Sequence, residues 1–380
     1  MPPPRPPWSP QPTPPHPPKT PPLQLPSHND EAASEVSDSS INAGVVILTI
    51  LLMGGMLLLL TSCIVRRYLA TSFTLTRPVT REEARAFDEA LIACLDESVI
   101  TLIRVSFLRQ MAKGDPTWRL PRLQELHEID GALIAKDDAV ALLERADRSI
   151  FALSHGWLSA KHPDPCGNRL RALCKHFDEL DARGVLPSDA GLFWDYGSLP
   201  QKPRSSDDEQ KFQTALRTMA DVYYSPMGTC VLITREVPPI PKGRAGEYNE
   251  RPYELRGWCV AEEVFSTECL LKLQLQPLER AKAVDIFETG KCAAVCPIPR
   301  STEQVLERLD KASFTGSGDK AVVERILIVH EELIHKRMQY RSNNVRLSEG
   351  SAVAGSVANR SAAGDVGAGV GRRSRVLPEP

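Results

Sequence analysis

Several signatures are missing from this 380-residue chain, and each absence removes a class of function. Its nine cysteines form no CxxC pair and have no His-x3-His partner, so neither a zinc site nor a disulfide framework is expected, and no metal. Most of these thiols should be small buried side chains in a reducing compartment. No GxGxxG follows a strand-like run and no GxxxxGK[ST] occurs, which leaves a dinucleotide-dependent dehydrogenase and a P-loop NTPase without support. An excess of either charge is lacking too: the formal net charge is −2, so no nucleic-acid partner is expected. Apart from one stretch there is no long apolar run, which excludes a polytopic membrane protein.

What is present is unevenly distributed. Of 32 prolines, 14 precede residue 27, and residues 1–40 have almost nothing to bury, so this head should be disordered or semi-extended. Its PxxP segments suit an SH3- or WW-type partner as well as a stiff spacer. Residues 43–65 carry no charge over 23 positions; as a helix of about 35 Å they would span a hydrocarbon core of about 30 Å. We read them as one uncleaved transmembrane helix, because the run starts late and ends in Arg66-Arg67 rather than at a cleavage site. Arg66, Arg67, Arg77, Arg81 and Arg85 follow the run, and residues 24–42 contain no lysine or arginine. The C-terminal part should therefore face the cytosol, as a single-pass membrane protein.

Beyond a juxtamembrane linker at 66–79, Thr80-Arg81-Glu82-Glu83 matches a capping box and opens a helical layer over 80–146. The pattern then changes. SIFAL (149–153), GLFWD (191–195) and TCVLIT (229–234) are short apolar runs without alternation, as in parallel strands covered on both faces. Helix candidates lie at 167–183, 207–224 and near 257–267, and LLKLQLQ (270–276) alternates like an edge strand. A final amphipathic helix is expected over 320–339, with Val323, Ile326, Val329 or His330, and Leu333 on its apolar stripe. The sum is an α/β domain over 147–342, doubly wound, with a mostly parallel flavodoxin-like sheet; the tail at 343–380 should be disordered.

Unusual residues concentrate where strands end. Ser154-His155-Gly156-Trp157 leads into His162-Pro163-Asp164-Pro165, Trp194-Asp195-Tyr196 follows the second strand, and Arg256-Gly257-Trp258-Cys259-Val260-Ala261-Glu262-Glu263 opens a helix after the third. In a doubly wound sheet all three fall on one rim. In this order, with Trp258-Cys259-x-x-Glu262 as its sharpest element, residues 148–276 resemble the Toll/interleukin-1 receptor (TIR) domain, especially its plant, microbial and algal branches.

The resemblance implies self-association with like domains and, in the enzymatic branch, cleavage of the nicotinamide glycosidic bond of NAD by the motif glutamate. By position that residue is Glu262. NAD would be a substrate, with no resident cofactor. A lone carboxylate suffices chemically, since nicotinamide leaves from a cationic ring nitrogen and only an oxocarbenium-like ribose needs stabilising. Trp157, Trp194 and Trp258 would offer aromatic faces, while Ser154, His155 and Asp195 would meet ribose or phosphate oxygens.

Other assignments stay open. Glu263 would be the solvated carboxylate if Glu262 were only a partner of Arg256; His155 suits a structural hydrogen bond, and Asp195 suits a turn cap. Ser154 is not expected as a nucleophile, since no G-x-S-x-G elbow surrounds it. The loop 235–255 and the insert after Trp157 are long for the family and would either close over the site or obstruct it. A non-enzymatic membrane adaptor and a nucleotide sensor are the competing functions.

Overall fold

The computed structural model describes residues 78–339, except 241, 244, 276, 277 and 317. The Pro-rich head, the 43–65 span, most of the 66–79 linker, and the tail lie outside the described residues. Among the described residues no helix is long and apolar enough to cross a membrane.

The first described helix, α1 (Arg81–Asp96), begins as its sequence requires: the Thr80 hydroxyl accepts from the Glu83 amide, and the Glu83 carboxylate accepts from the Thr80 amide. Next comes a two-residue strand, β1 (Ile103–Arg104), within the segment expected to be a mostly helical layer. It pairs antiparallel with a later strand, so this segment extends the sheet as well as covering it. Three helices follow: α2 (Val105–Gly114), the single turn α3 (Leu123–Leu126) and α4 (Lys136–Glu144).

The central unit alternates strand and helix: β2 (Ile150–His155), α5 (Asn168–Ala182), β3 (Gly191–Phe193), the short α6 (Asp195–Ser198), α7 (Ser206–Tyr224), β4 (Thr229–Thr234) and α8 (Gly257–Lys272). It closes with β5 (Ala283–Ile286), β6 (Cys292–Ala294), α9 (Thr302–Lys311) and a last helix, α10, at 319–339. One mixed sheet runs in the order β1-β3-β2-β4-β5-β6. The four inner strands are parallel, and the short outer strands β1 and β6 are antiparallel to their neighbours.

Burial explains why the inner strands are uniformly apolar. Ile150, Ala152, Val231 and Ile233 face one core shared with α7 and α8, while Phe151, Leu153, Cys230 and Leu232 face another shared with α2 and α5. Both faces are dry, so no alternation is possible.

LLKLQLQ is not a strand. Leu270, Leu271 and Lys272 complete α8, and Leu273 caps it by donating its amide to the Cys269 carbonyl. Leucines at 270, 271 and 273 satisfy a helical period as readily as alternation, and continuity with the buried face of α8 decides the outcome. The fourth parallel strand is the short AVDI of β5 instead. In α10 the buried stripe is Val323, Leu327, His330 and Ile334, and Val329 is exposed.

The two ends of the sheet carry different chemistry. At the amino ends, buried Arg148 donates to the Arg280 and Pro226 carbonyls, while Arg280 reaches back to those of Arg148 and Val185. Guanidinium groups there satisfy backbone acceptors. The opposite end is left for a site, and the chain order reverses there: from β2 it moves to β3 on one side and then to β4 on the other. Such a reversal opens a crevice above the carboxyl ends of the two strands.

Candidate functional site in the crevice above β2 and β4

A cleft of about 960 Å³ lies at this reversal, large enough for a nucleotide-sized molecule. Its walls come from the segments following three strands. His155 ends β2 and Gly156 and Trp157 follow it, Asp195 and Tyr196 follow β3, and Arg256 to Glu262 open α8.

Glu262 sits on the first turn and a half of α8, lines the cleft, and is only 7% exposed. The Ser154 hydroxyl at the end of β2 donates to its Oε2 at 2.6 Å. Burial pushes the carboxyl well above its ordinary range; Ser154 opposes this, Asp195 adds to it, and the Tyr223 hydroxyl also opposes it. The proton is thus held more tightly here than on a solvated glutamate. Among the described residues no arginine pairs with it. Its neighbour Glu263 faces the other way and binds Arg308 at 2.8 Å and Arg235 at 3.3 Å, which holds its carboxyl below the ordinary range despite burial. The two adjacent glutamates are thus divided: Glu262 belongs to the cleft, and Glu263 ties α8 to α9 and the end of β4.

Ser154 is fully buried and reaches Glu262 and Tyr253 rather than the cleft surface. His155 lines the cleft, and its Nε2 accepts from the Trp194 indole at 3.1 Å. Burial, reinforced by Arg169 and Arg256, pushes its imidazole well below the ordinary value, so the ring is neutral. Trp194 itself is wholly enclosed, against the expectation that it would offer a ligand face. It orients His155 instead.

Asp195 accepts from the Trp157 indole at 2.7 Å and from the Tyr196 amide at 2.7 Å. Burial raises its carboxyl to about 6 against these two donors. Trp157 in turn meets Tyr196 edge-on at 5.7 Å, so a rigid aromatic corner surrounds the carboxylate. Trp258 lines the opposite wall and donates to Asp319 at 3.1 Å.

How the two long inserts are held was not legible in the amino-acid pattern. The Arg256 guanidinium donates to the backbone carbonyls of Trp157, Asn249 and Arg251, binding the insert after β2 to the one after β4. Gly156 is obligatory here, since a Cβ would lie 2.3 Å from the Arg256 side chain. The Asn249 amide adds a bond to the Leu158 carbonyl. The inserts therefore form a wall of the cleft. His-Pro-Asp-Pro serves as a rigid turn: Asp164 accepts from the Leu170 amide at the start of α5.

A second unexpected wall is the stretch from Ser313 to Asp319. Gly257 donates to the Ser313 carbonyl and Ser313 to that of Leu255, while the Phe314 ring fills the space where a side chain at 257 would stand. Farther out, Arg122, Lys161, Lys202 and Arg251 give the cleft cations suited to phosphate oxygens. Among the described residues no group of three or more metal-ligating side chains gathers. No protein-family model, no curated protein and no solved structure matches this chain.

Proposed function

We propose that this chain is a single-pass membrane protein whose cytosolic, TIR-like flavodoxin-type domain cleaves NAD at the nicotinamide glycosidic bond when copies cluster. One observation carries the reading: Glu262 lines the cleft at the strand reversal, bonded to Ser154 at the tip of β2 and free of any arginine partner among the described residues.

In this scheme NAD enters with its diphosphate toward the outer cations and its nicotinamide ribose against Glu262. The positive pyridinium ring favours the ionised form of the buried acid. The C1′–N bond breaks, its electron pair leaves with neutral nicotinamide, and the ribosyl cation is stabilised by the carboxylate. Water then adds to C1′ and releases a proton, giving ADP-ribose. Trp157 and Trp258 flank the ring systems, Asp195 and His155 orient hydroxyls, and neutral His155 avoids repelling the cationic ring.

A second reading, a sensor that binds a nucleotide without cleaving it, is favoured by the burial of Glu262, which disfavours the ionised carboxylate that cleavage uses. The full chain in lipid vesicles, sparse or crowded, separates them. Nicotinamide release on crowding that is abolished by Glu262→Ala supports the enzyme. Binding of NAD and ADP-ribose with no release at any density supports the sensor, and no binding at all leaves an adaptor.

A further inference from the structure

We propose that Tyr253 is a positioning residue for Glu262: by offering its phenol oxygen to Ser154, it decides whether the Ser154 proton goes to the carboxyl or away from it. The inference rests on the reading of Glu262 as the working carboxylate. Tyr253 lies in the wall formed by the insert after β4, only 1% exposed, and takes no part in lining the cleft.

The case is one of counting protons. The Ser154 hydroxyl has one proton and two partners, Glu262 Oε2 and the Tyr253 phenol oxygen, each at 2.6 Å. The Tyr253 proton has an acceptor of its own, the Cys259 carbonyl at 3.0 Å. When Glu262 carries a proton on Oε2, the bond to Ser154 reverses, and an unbroken chain of donors runs from Glu262 to Ser154 to Tyr253 to the Cys259 carbonyl, with every proton placed. When Glu262 is ionised, Ser154 turns to the carboxylate and the phenol oxygen loses its donor. In a buried site that loss has no water to repair it. Tyr253 therefore favours the protonated acid, and Ser154 supplies the donor that the ionised acid needs.

Other groups face this chain from every side. Asp195 acts on Glu262 through its charge, Tyr223 comes from α7, hydrogen-bonds Glu262 and donates to the Leu153 carbonyl at 3.1 Å, the Arg235 guanidinium lies 5.0 Å over the Tyr253 ring, and His155 follows Ser154 on β2. Cys259 and Glu263 lie on the same helix as Glu262, and Arg169 and Arg256 act on His155 and Cys259. None of these has hydrogen-bond contact with the phenol except Cys259, through its carbonyl, and Ser154. Removing the phenol hydroxyl therefore takes away the acceptor for Ser154 and the donor to the Cys259 carbonyl and leaves the charges in place.

The test compares Tyr253→Phe with Ser154→Ala in the full chain in vesicles. The infrared carboxyl band of protonated Glu262, identified by its loss in Glu262→Gln, is titrated with pH, and the pH profile of nicotinamide release is measured beside it. Tyr253→Phe should move both midpoints down by about one pH unit, roughly a tenfold gain in ionised fraction on the acid limb. Ser154→Ala should move them up by a similar amount. A midpoint unmoved by Tyr253→Phe, or moved the same way by both variants, overturns the proposal. Thermal melting checks folding; should Tyr253→Phe not fold, the Ser154→Ala midpoint decides, and a failure to rise overturns the proposal. If the wild-type chain releases no nicotinamide at any pH, NAD cleavage fails as a function while the infrared titration still decides the role of Tyr253.

Discussion

The Ser154 hydroxyl, at the carboxyl end of β2, donates to Glu262 on α8 at 2.6 Å, joining residues 108 positions apart at the floor of one cleft. This contact makes Glu262 both costly and useful. Its raised carboxyl pKa means the folded state holds the proton more tightly than the unfolded state. The stability it contributes is therefore complete below the ordinary carboxylate range and is lost as pH rises through the folded value. Glu262→Gln keeps the acceptor for Ser154 and removes the ionisation. At pH 8 it should melt at or above the wild-type temperature while losing nicotinamide release by about a hundredfold or more. A variant that is less stable and fully active contradicts this.

A second buried acid predicts the pH dependence of the scaffold away from the cleft. Asp88 on α1 is raised to about 7, chiefly by burial, with the Ser225 hydroxyl donating to it at 2.9 Å. Its contribution should be full below about 4 and decline as pH rises to about 7, by an order of 4 kcal/mol. Asp88→Asn should remove that part of the slope in thermal melts between pH 4 and 8. An unchanged slope shows that Asp88 does not hold its proton.

Burial raises the Asp195 carboxyl on the cleft wall to about 6, so its ionisation adds a negative charge to the cleft that receives the anionic ligand. Affinity for ADP-ribose should weaken between pH 5 and 7 in the wild-type chain. In Asp195→Asn the affinity should be flat over that range, as measured by calorimetry.

Arg256 closes the wall by satisfying three carbonyls from two inserts. A lysine there cannot reproduce the planar fork. Arg256→Lys should cost about 2–4 kcal/mol in denaturant unfolding and raise hydrogen exchange in both 156–166 and 245–256. Faster exchange in only one insert contradicts the clasp.

Gly257 and Phe314 form a complementary pair, the ring standing 2.0 Å from where a Cβ would be. Gly257→Ala should destabilise the chain by about 1–3 kcal/mol, and Phe314→Ala in the same chain should recover much of that loss. Additive costs in the double variant show that the ring has another place to go.

The legible and illegible parts of this molecule divide on physical grounds. SIFAL, GLFWD and TCVLIT could be read as inner strands because burial on both faces leaves only apolar side chains, and β2, β3 and β4 lie there. Beta5 escaped because AVDI is four residues long and includes the half-buried Asp285, which pairs with Arg235. Position after a strand was enough to bring His155, Trp157, Asp195, Trp258 and Glu262 to one cleft. Ser154 stands just behind them. Tyr253, Phe314 and Asp319 were hidden because their roles depend on partners set by the closed fold. The only local hint for Tyr253 was a lone aromatic in a polar, proline-containing stretch just ahead of the Trp-Cys motif.

The most direct measurement is a crystal structure of the Glu262→Gln chain with NAD. The account predicts NAD in the cleft above β2 and β4, with the hydroxyls of its nicotinamide ribose within hydrogen-bond reach of the side chain at 262. An empty cleft at saturating NAD, or a nicotinamide ribose turned away from position 262, contradicts it.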